Sequence, residues 1–181
     1  MKKIIYLIIG LSLITLIGCQ HTENTPTKQV EKFLSKYQTL DKDVLEDLDD
    51  TVDNTSSFNE QQKEDYRKLM KNHYKNLKYE IKDEMIDGNR ATVVTEIEVN
   101  DYSKILKKAE EYRKEYPEKF NDNNKYDEQK FISYKIDLMK NADETIKYTL
   151  ELNLTKDNNK NWVLDAITAD DEQKINGTYR H

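Results

Sequence analysis

Near position 78 the apolar residues of this chain change their spacing, and that change constrains the fold more than any other feature. Upstream, three sets recur at intervals of three and four: Val30, Phe33, Leu34 and Tyr37; Val44, Leu45, Leu48 and Val52; and Tyr66, Leu69, Met70, His73, Tyr74 and Leu77. That spacing gathers side chains on one side of a helix. Downstream, Tyr79, Ile81, Asp83 and Met85 alternate with Lys78, Glu80, Lys82 and Glu84. A period of two sends successive side chains to opposite faces of a strand. One element cannot satisfy both periods, so helices must come first and a sheet must follow.

Local signals place the boundaries. Thr27 is expected to cap the first helix, and Asp41 or Asp43 the second. Residues 53–57 read as a loop, and Ser57 or Asn59 opens a third helix that runs to about Asn76. Asp87-Gly88-Asn89 supplies turn chemistry, and Val93, Thr95, Ile97 and Val99 form one face of the returning strand. Residues 101–142 interrupt the sheet with two helical stripes: Tyr102, Ile105, Leu106, Ala109, Tyr112 and Tyr116 before Pro117, then Phe131, Ile132, Ile136, Leu138 and Met139. Ile146, Tyr148, Leu150, Leu152 and Leu154 alternate with polar residues along a third strand. Asp157–Lys160 turns the chain into a last strand bearing Trp162, Leu164 and Ala166, and 169–181 read as a polar C-terminal tail or frayed helix. The predicted class is α+β, with N-terminal helices packed on a curved antiparallel sheet of about four strands. A helical insertion separates the second strand from the third.

The N-terminus carries a different signal. Met1-Lys2-Lys3 precedes an apolar run from Ile4 to Gly18, the pattern of a secretory signal peptide. The run falls short of the roughly 20 residues that a membrane-crossing helix needs, and Gln20-His21-Thr22-Glu23-Asn24 follows at once. It ends on Leu16-Ile17-Gly18-Cys19, which resembles the lipobox of bacterial lipoproteins. The resemblance implies cleavage before Cys19, a diacylglyceryl group on its thiol, and a protein held outside the cytoplasm on the cell membrane. The expected organisation is a signal peptide over 1–18, a lipidated tether over 19–27, a domain over 28–168 and the tail.

Composition bears on what that domain can be. Loss of residues 1–18 removes two lysines and no acid, leaving 27 basic against 35 acidic residues, a balance of −8. Mixed signs with an acidic excess give no electrostatic footprint for nucleic acid. Cys19 is the only cysteine, so no disulfide braces the fold. Beyond residue 18 the glycines are Gly88 and Gly177, which excludes a GxSxG elbow and a glycine-rich phosphate loop. His21, His73 and His181 have no partner at a recognised metal spacing. His73 falls in an apolar helical stripe, as a satisfied and partly buried histidine would. The Tyr102, Tyr112 and Tyr116 face reads as packing, and Glu96 and Glu98 as part of a solvated acidic face. No cofactor is implied.

The order of elements over residues 28–168, with the segment pairs Tyr79–Val99 and Thr145–Ile167, resembles the NTF2-like (cystatin-like) superfamily. That resemblance implies a cone-shaped sheet with a hollow, in which a carboxylate can serve as a general base. Asp83 shares a phase with Tyr79, Ile81 and Met85, so it is expected to face the helices and line a pocket with Thr95, Tyr148 and Trp162. A bulge would instead turn it to solvent. Three functions compete: a non-catalytic module binding a ligand or an envelope protein, a small enzyme using Asp83, and an accessory subunit of a membrane complex docking through 101–142.

Overall fold

A computed structural model describes residues 24–180. The signal segment, Cys19, His21 and His181 lie outside the described residues. The chain begins with three helices, α1 (Pro26–Thr39), α2 (Lys42–Asp53) and α3 (Glu60–Lys75). The cap of α1 is Thr25 rather than Thr27, its side chain accepting from the Lys28 N–H. Pro26 decides the difference: it has no N–H to lose at the first helical position and its φ is already helical. The fold therefore begins earlier than the expected residue 28. Asn24 is part of the fold, its side-chain amide accepting from the Trp162 N–H and donating to the Trp162 carbonyl. Asn59 opens α3 through a capping box with Gln62.

Two long strands follow, β1 (Lys78–Asp87) and β2 (Arg90–Asn100). The insertion comprises α4 (Tyr102–Glu115), a 3-10 turn at Pro117–Phe120, the two-residue strands β3 (Asn121–Asp122) and β4 (Lys125–Tyr126), and α5 (Glu128–Lys140). The chain then returns as β5 (Thr145–Lys156), β6 (Trp162–Leu164) and α6 (Ala169–Ile175). The main sheet is antiparallel with order β1-β2-β5-β6, so the insertion leaves and re-enters between neighbouring strands. The α+β class, the four-strand sheet and the helical insertion all stand as the sequence predicts. The last strand is shorter than expected, stopping at Leu164.

The inner face of β2 and β5 is the main core. Val93, Ile97, Leu150, Leu152 and Leu154 are buried there against Val30 and Leu34 of α1 and Ile175 of α6. Each such side chain contributes about 1.5–3 kcal/mol on burial. A second cluster joins α2 and α3 to Tyr102 and Met139, and a third gathers Ala109, Phe120 and Phe131 within the insertion. The insertion is bolted to α3 by polar contacts as well. Gln62 Nε2 donates to the Gln129 carbonyl at 2.8 Å and to Ser133 Oγ at 3.0 Å, and Lys140 pairs with Asp65 at 3.2 Å. Tyr112 stacks on Tyr134, which makes the tyrosine stripe of α4 largely packing within the insertion.

Of the tail or frayed helix expected at the C-terminus, the structure shows a helix that is docked rather than frayed. Residues 169–175 form a capped helix, and Ile175 has no exposed surface. Gly177 follows at φ +69°, its carbonyl accepting from the Ser103 N–H at 2.9 Å. One buried isoleucine in a polar stretch is too little periodicity to announce docking, yet Ile175 anchors the helix to the core.

Candidate functional site

Asp83 does not face the helices. β1 and β2 pair in register from Lys78 to Ile81, and the register then shifts so that Asp83 faces Val94. Lys82 is the extra residue of a β-bulge, which reverses the facing of everything after it. Asp83 is exposed, its carboxylate accepting from the Glu84 N–H. Glu84 takes the inner phase, and its Oε2 accepts from the N–H and hydroxyl of Thr27 at 2.9 and 2.7 Å. A carboxylate there favours the positive end of α1. The candidate general base is thus a solvent-facing residue, and the enzyme reading loses the group it depended on.

The other three candidates are inward but packed. Thr95 has no exposed surface, and Tyr148 and Trp162 are buried in the main core. The Tyr148 hydroxyl donates to the Tyr179 carbonyl at 3.3 Å, so the sheet face is closed there by the C-terminal segment. Thr95 Oγ1 is buried without a hydrogen-bond partner. A buried hydroxyl left unpaired costs free energy that a methyl of the same shape does not. Thr95→Val is therefore expected to raise stability by about 1 kcal/mol, read as the denaturant midpoint at unchanged slope. A loss of stability would show that this hydroxyl is satisfied in solution.

His73 is buried on α3 and reaches α6, where Nε2 lies 2.8 Å from the Ile175 carbonyl. A carbonyl can only accept, so Nε2 carries a proton, and in the neutral ring Nδ1 is the bare nitrogen. Nδ1 has no partner at bonding geometry, although the Asn100 side chain stands near enough to favour the charged ring. Burial outweighs both neighbours and holds the pKa below its usual 6.5. The unfolded chain then binds the proton more readily than the folded one. Stability from this group is complete above pH 6.5 and is lost as the pH falls below it, by no more than about 1.4 kcal/mol per pH unit for one proton. The midpoint of urea unfolding should fall between pH 7 and 5.5, and His73→Gln should flatten that dependence. An unchanged slope in the variant would assign it elsewhere. His73 is thus buried outright rather than partly, and only one of its ring nitrogens is satisfied among the described residues.

The outer sheet face is occupied by ion pairs. Glu96 meets Lys147 at 2.8 Å and Lys82 at 3.6 Å, and Glu98 meets Lys78 at 3.2 Å. Lysines already neutralise these acids. Among the described residues no cluster of three histidine, cysteine or acidic side chains is arranged to hold a metal.

A pocket opens elsewhere, among α1, α2, α3 and the C-terminal segment. Its volume is about 260 Å³, and Tyr37, Tyr66 and Tyr74 contribute aromatic walls. Leu48, Met70 and Ile167 add apolar lining, while Asp47, Thr51, Glu172 and Asn176 add polar groups. Tyr37 and Tyr74 meet edge to face at 5.1 Å, and the Tyr74 hydroxyl donates to Asn176 Oδ1 at 2.9 Å. Burial, with the Glu172 and Asp47 carboxylates adding to it, pushes the Tyr37 phenol up to about 12. The same causes, joined by the neighbouring tyrosines, raise Tyr74. Both phenols stay protonated throughout the physiological range. Sequence reasoning placed Tyr37, Tyr66 and Tyr74 on helical core faces and gave Glu172 and Asn176 to a tail or frayed helix. Only the docking of α6 brings the five together.

No protein-family model and no curated protein matches the chain. Among solved structures it is similar to that of a "putative lipoprotein (ycdA)" from Bacillus subtilis subsp. subtilis str. 168, at 18% identity and a TM-score of 0.47. The match covers 80% of this chain and 47% of the other, so this chain spans about half that protein's length.

Proposed function

We propose that this protein is an extracytoplasmic lipoprotein, anchored in the cell membrane through Cys19, whose domain is a non-catalytic binding module. The anchor reading rests on Leu16-Ile17-Gly18-Cys19 at the end of a short apolar run behind two lysines. Asn24 sharpens where such an anchor would hold the domain. Its clamp on the Trp162 backbone leaves five peptide steps back to Cys19, a reach of about 17 Å when fully extended. The β6 edge then stays within that distance of the lipidated residue.

The observation that carries the binding reading is the tyrosine-walled pocket. It is open to solvent at one end of the helical layer, while the inner sheet face is filled by side chains. Concave sites with apolar walls and a few convergent polar groups are where small ligands bind. No histidine, cysteine or serine lines this one, which favours binding over chemistry. Thr51 lies on an exposed turn of α2 at the pocket edge, so Thr51→Trp can fill the space without entering the core. Ligand-observed NMR with a small-molecule library should give hits on the wild-type protein that vanish in this variant. Hits that all persist would place binding elsewhere.

A further inference from the structure

We infer that the pocket takes a small organic cation, an ammonium group carried on a compact apolar body. This rests on the pocket being the binding site and adds the class of ligand. Three tyrosine rings line the space, and an aromatic face attracts a cation through its negative quadrupole. Asp47 and Glu172 line it too, from α2 and α6. Neither makes an ion pair among the described residues, although their neighbours do. On α2, Asp43 holds Lys36, and Asp49 and Asp53 hold Arg67. On α6, Asp171 holds Lys174. The pocket thus keeps two carboxylates outside any ion pair among the described residues, Lys36 reaching Asp47 only through its field, and no lysine or arginine lines it.

The hydrogen-bond inventory points the same way. The Tyr74 hydroxyl is spent on Asn176, and the Thr51 hydroxyl donates to the Asp47 carbonyl at 2.8 Å. Those two donors are already used, while the Asp47 and Glu172 carboxylates accept no hydrogen bond among the described residues and the edges and faces of Tyr37, Tyr66 and Tyr74 that border the space form its wall. An anion would meet two like charges. A bare divalent cation wants six or more oxygen ligands, and Leu48, Met70 and Ile167 supply none. Apolar walls suit methyl or methylene groups around the nitrogen. The volume, about 260 Å³, lies just under the roughly 300–1,000 Å³ of sites for drug-sized ligands, so the ligand is small.

The test is calorimetric titration of the full chain in neutral detergent with choline, n-butylammonium and 3,3-dimethylbutan-1-ol, the neutral isostere of choline. At least one cation should bind saturably and at least tenfold more tightly than the alcohol. Binding should weaken at least tenfold in Asp47→Asn/Glu172→Gln, whose exposed side chains carry little of the fold, and should be lost in Thr51→Trp. The affinity should also fall as salt is raised, because the rim carboxylates are screened. If the alcohol binds as well as choline and Thr51→Trp abolishes both, the site stands and its cation preference is overturned. If no probe binds, or if binding ignores Thr51→Trp, the pocket itself is refuted as the site, and this inference with it.

Discussion

Cys19→Ser is expected to abolish lipid attachment completely. In the lipoprotein pathway that the Leu16–Cys19 motif resembles, the thiol sulfur carries the diacylglyceryl group, and cleavage follows that modification. A serine hydroxyl at the same place leaves the motif otherwise intact and removes only the acceptor. Two acyl chains are what make such an anchor stable. Each buried methylene is worth about 0.8 kcal/mol, and a single chain holds a protein only marginally. Wild-type protein should take up labelled fatty acid, pellet with membranes, and have the mass of a lipidated chain beginning at Cys19. The serine variant should carry no label and keep residues 1–18 or be released without lipid. Label retained at the wild-type level would refute the anchor. Cys19 lies outside the described residues, and the variant should unfold at the same denaturant concentration as wild type once both are in detergent.

The two parts of the proposal were legible in the sequence to different degrees, for physical reasons. The signal-segment and lipobox reading rests on linear motifs alone, so it draws nothing from the fold. Helices and strands were legible because burial imposes a period, and Val30, Leu34, Val93, Ile97, Leu150 and Leu152 all sit in the core where that period puts them. The reversal at Asp83 was left open by the sequence, because Met85 continues the phase of Ile81 without a bulge and Ile86 continues it only with one. Ile81 pairs with Thr95 and Ile86 with Ala91, in one phase of the sheet, although Ile86 at the strand end is exposed. They are five residues apart, an odd interval, so both can share that phase only if one residue between them is bulged out. The binding pocket left no such trace. Tyr37, Tyr66 and Tyr74 each look like core on their own helices, and Tyr74 is indeed buried while Tyr37 and Tyr66 are half-buried. What makes them a wall is the space left when α6 docks, and α6 shows one apolar residue in its own favour. A site assembled from four segments by tertiary contact has no period and no motif to read.

That docking rests on one residue more than any other, and Gly177→Ala is the substitution that tests it. The backbone at Gly177 has φ +69°, where an L side chain is strained by about 1–2 kcal/mol. A Cβ there would stand 2.2 Å from the Asn100 carbonyl oxygen and 3.2 Å from His73 Cε1. The first contact is with backbone at the end of β2, so no rotamer change relieves it. Relief requires the end of α6 to move off the sheet, which strains the Ser103–Gly177 hydrogen bond, the His73 contact to the Ile175 carbonyl and the burial of Ile175. Strain and overpacking together should cost about 3–5 kcal/mol, and at this chain length lower Tm by roughly 10 °C. Gly88 supplies the control within the same molecule. It has φ +57° in the β1–β2 turn, yet an added Cβ would meet nothing within 4 Å. Gly88→Ala should therefore show the conformational cost alone, about 1 kcal/mol, and leave the pocket intact. Gly177→Ala should weaken the pocket's ligand binding along with stability, because Glu172 and Asn176 leave with α6. Equal losses of stability from the two substitutions would mean that the chain after residue 168 does not pack against Asn100 and His73, and the pocket would then lose its C-terminal wall.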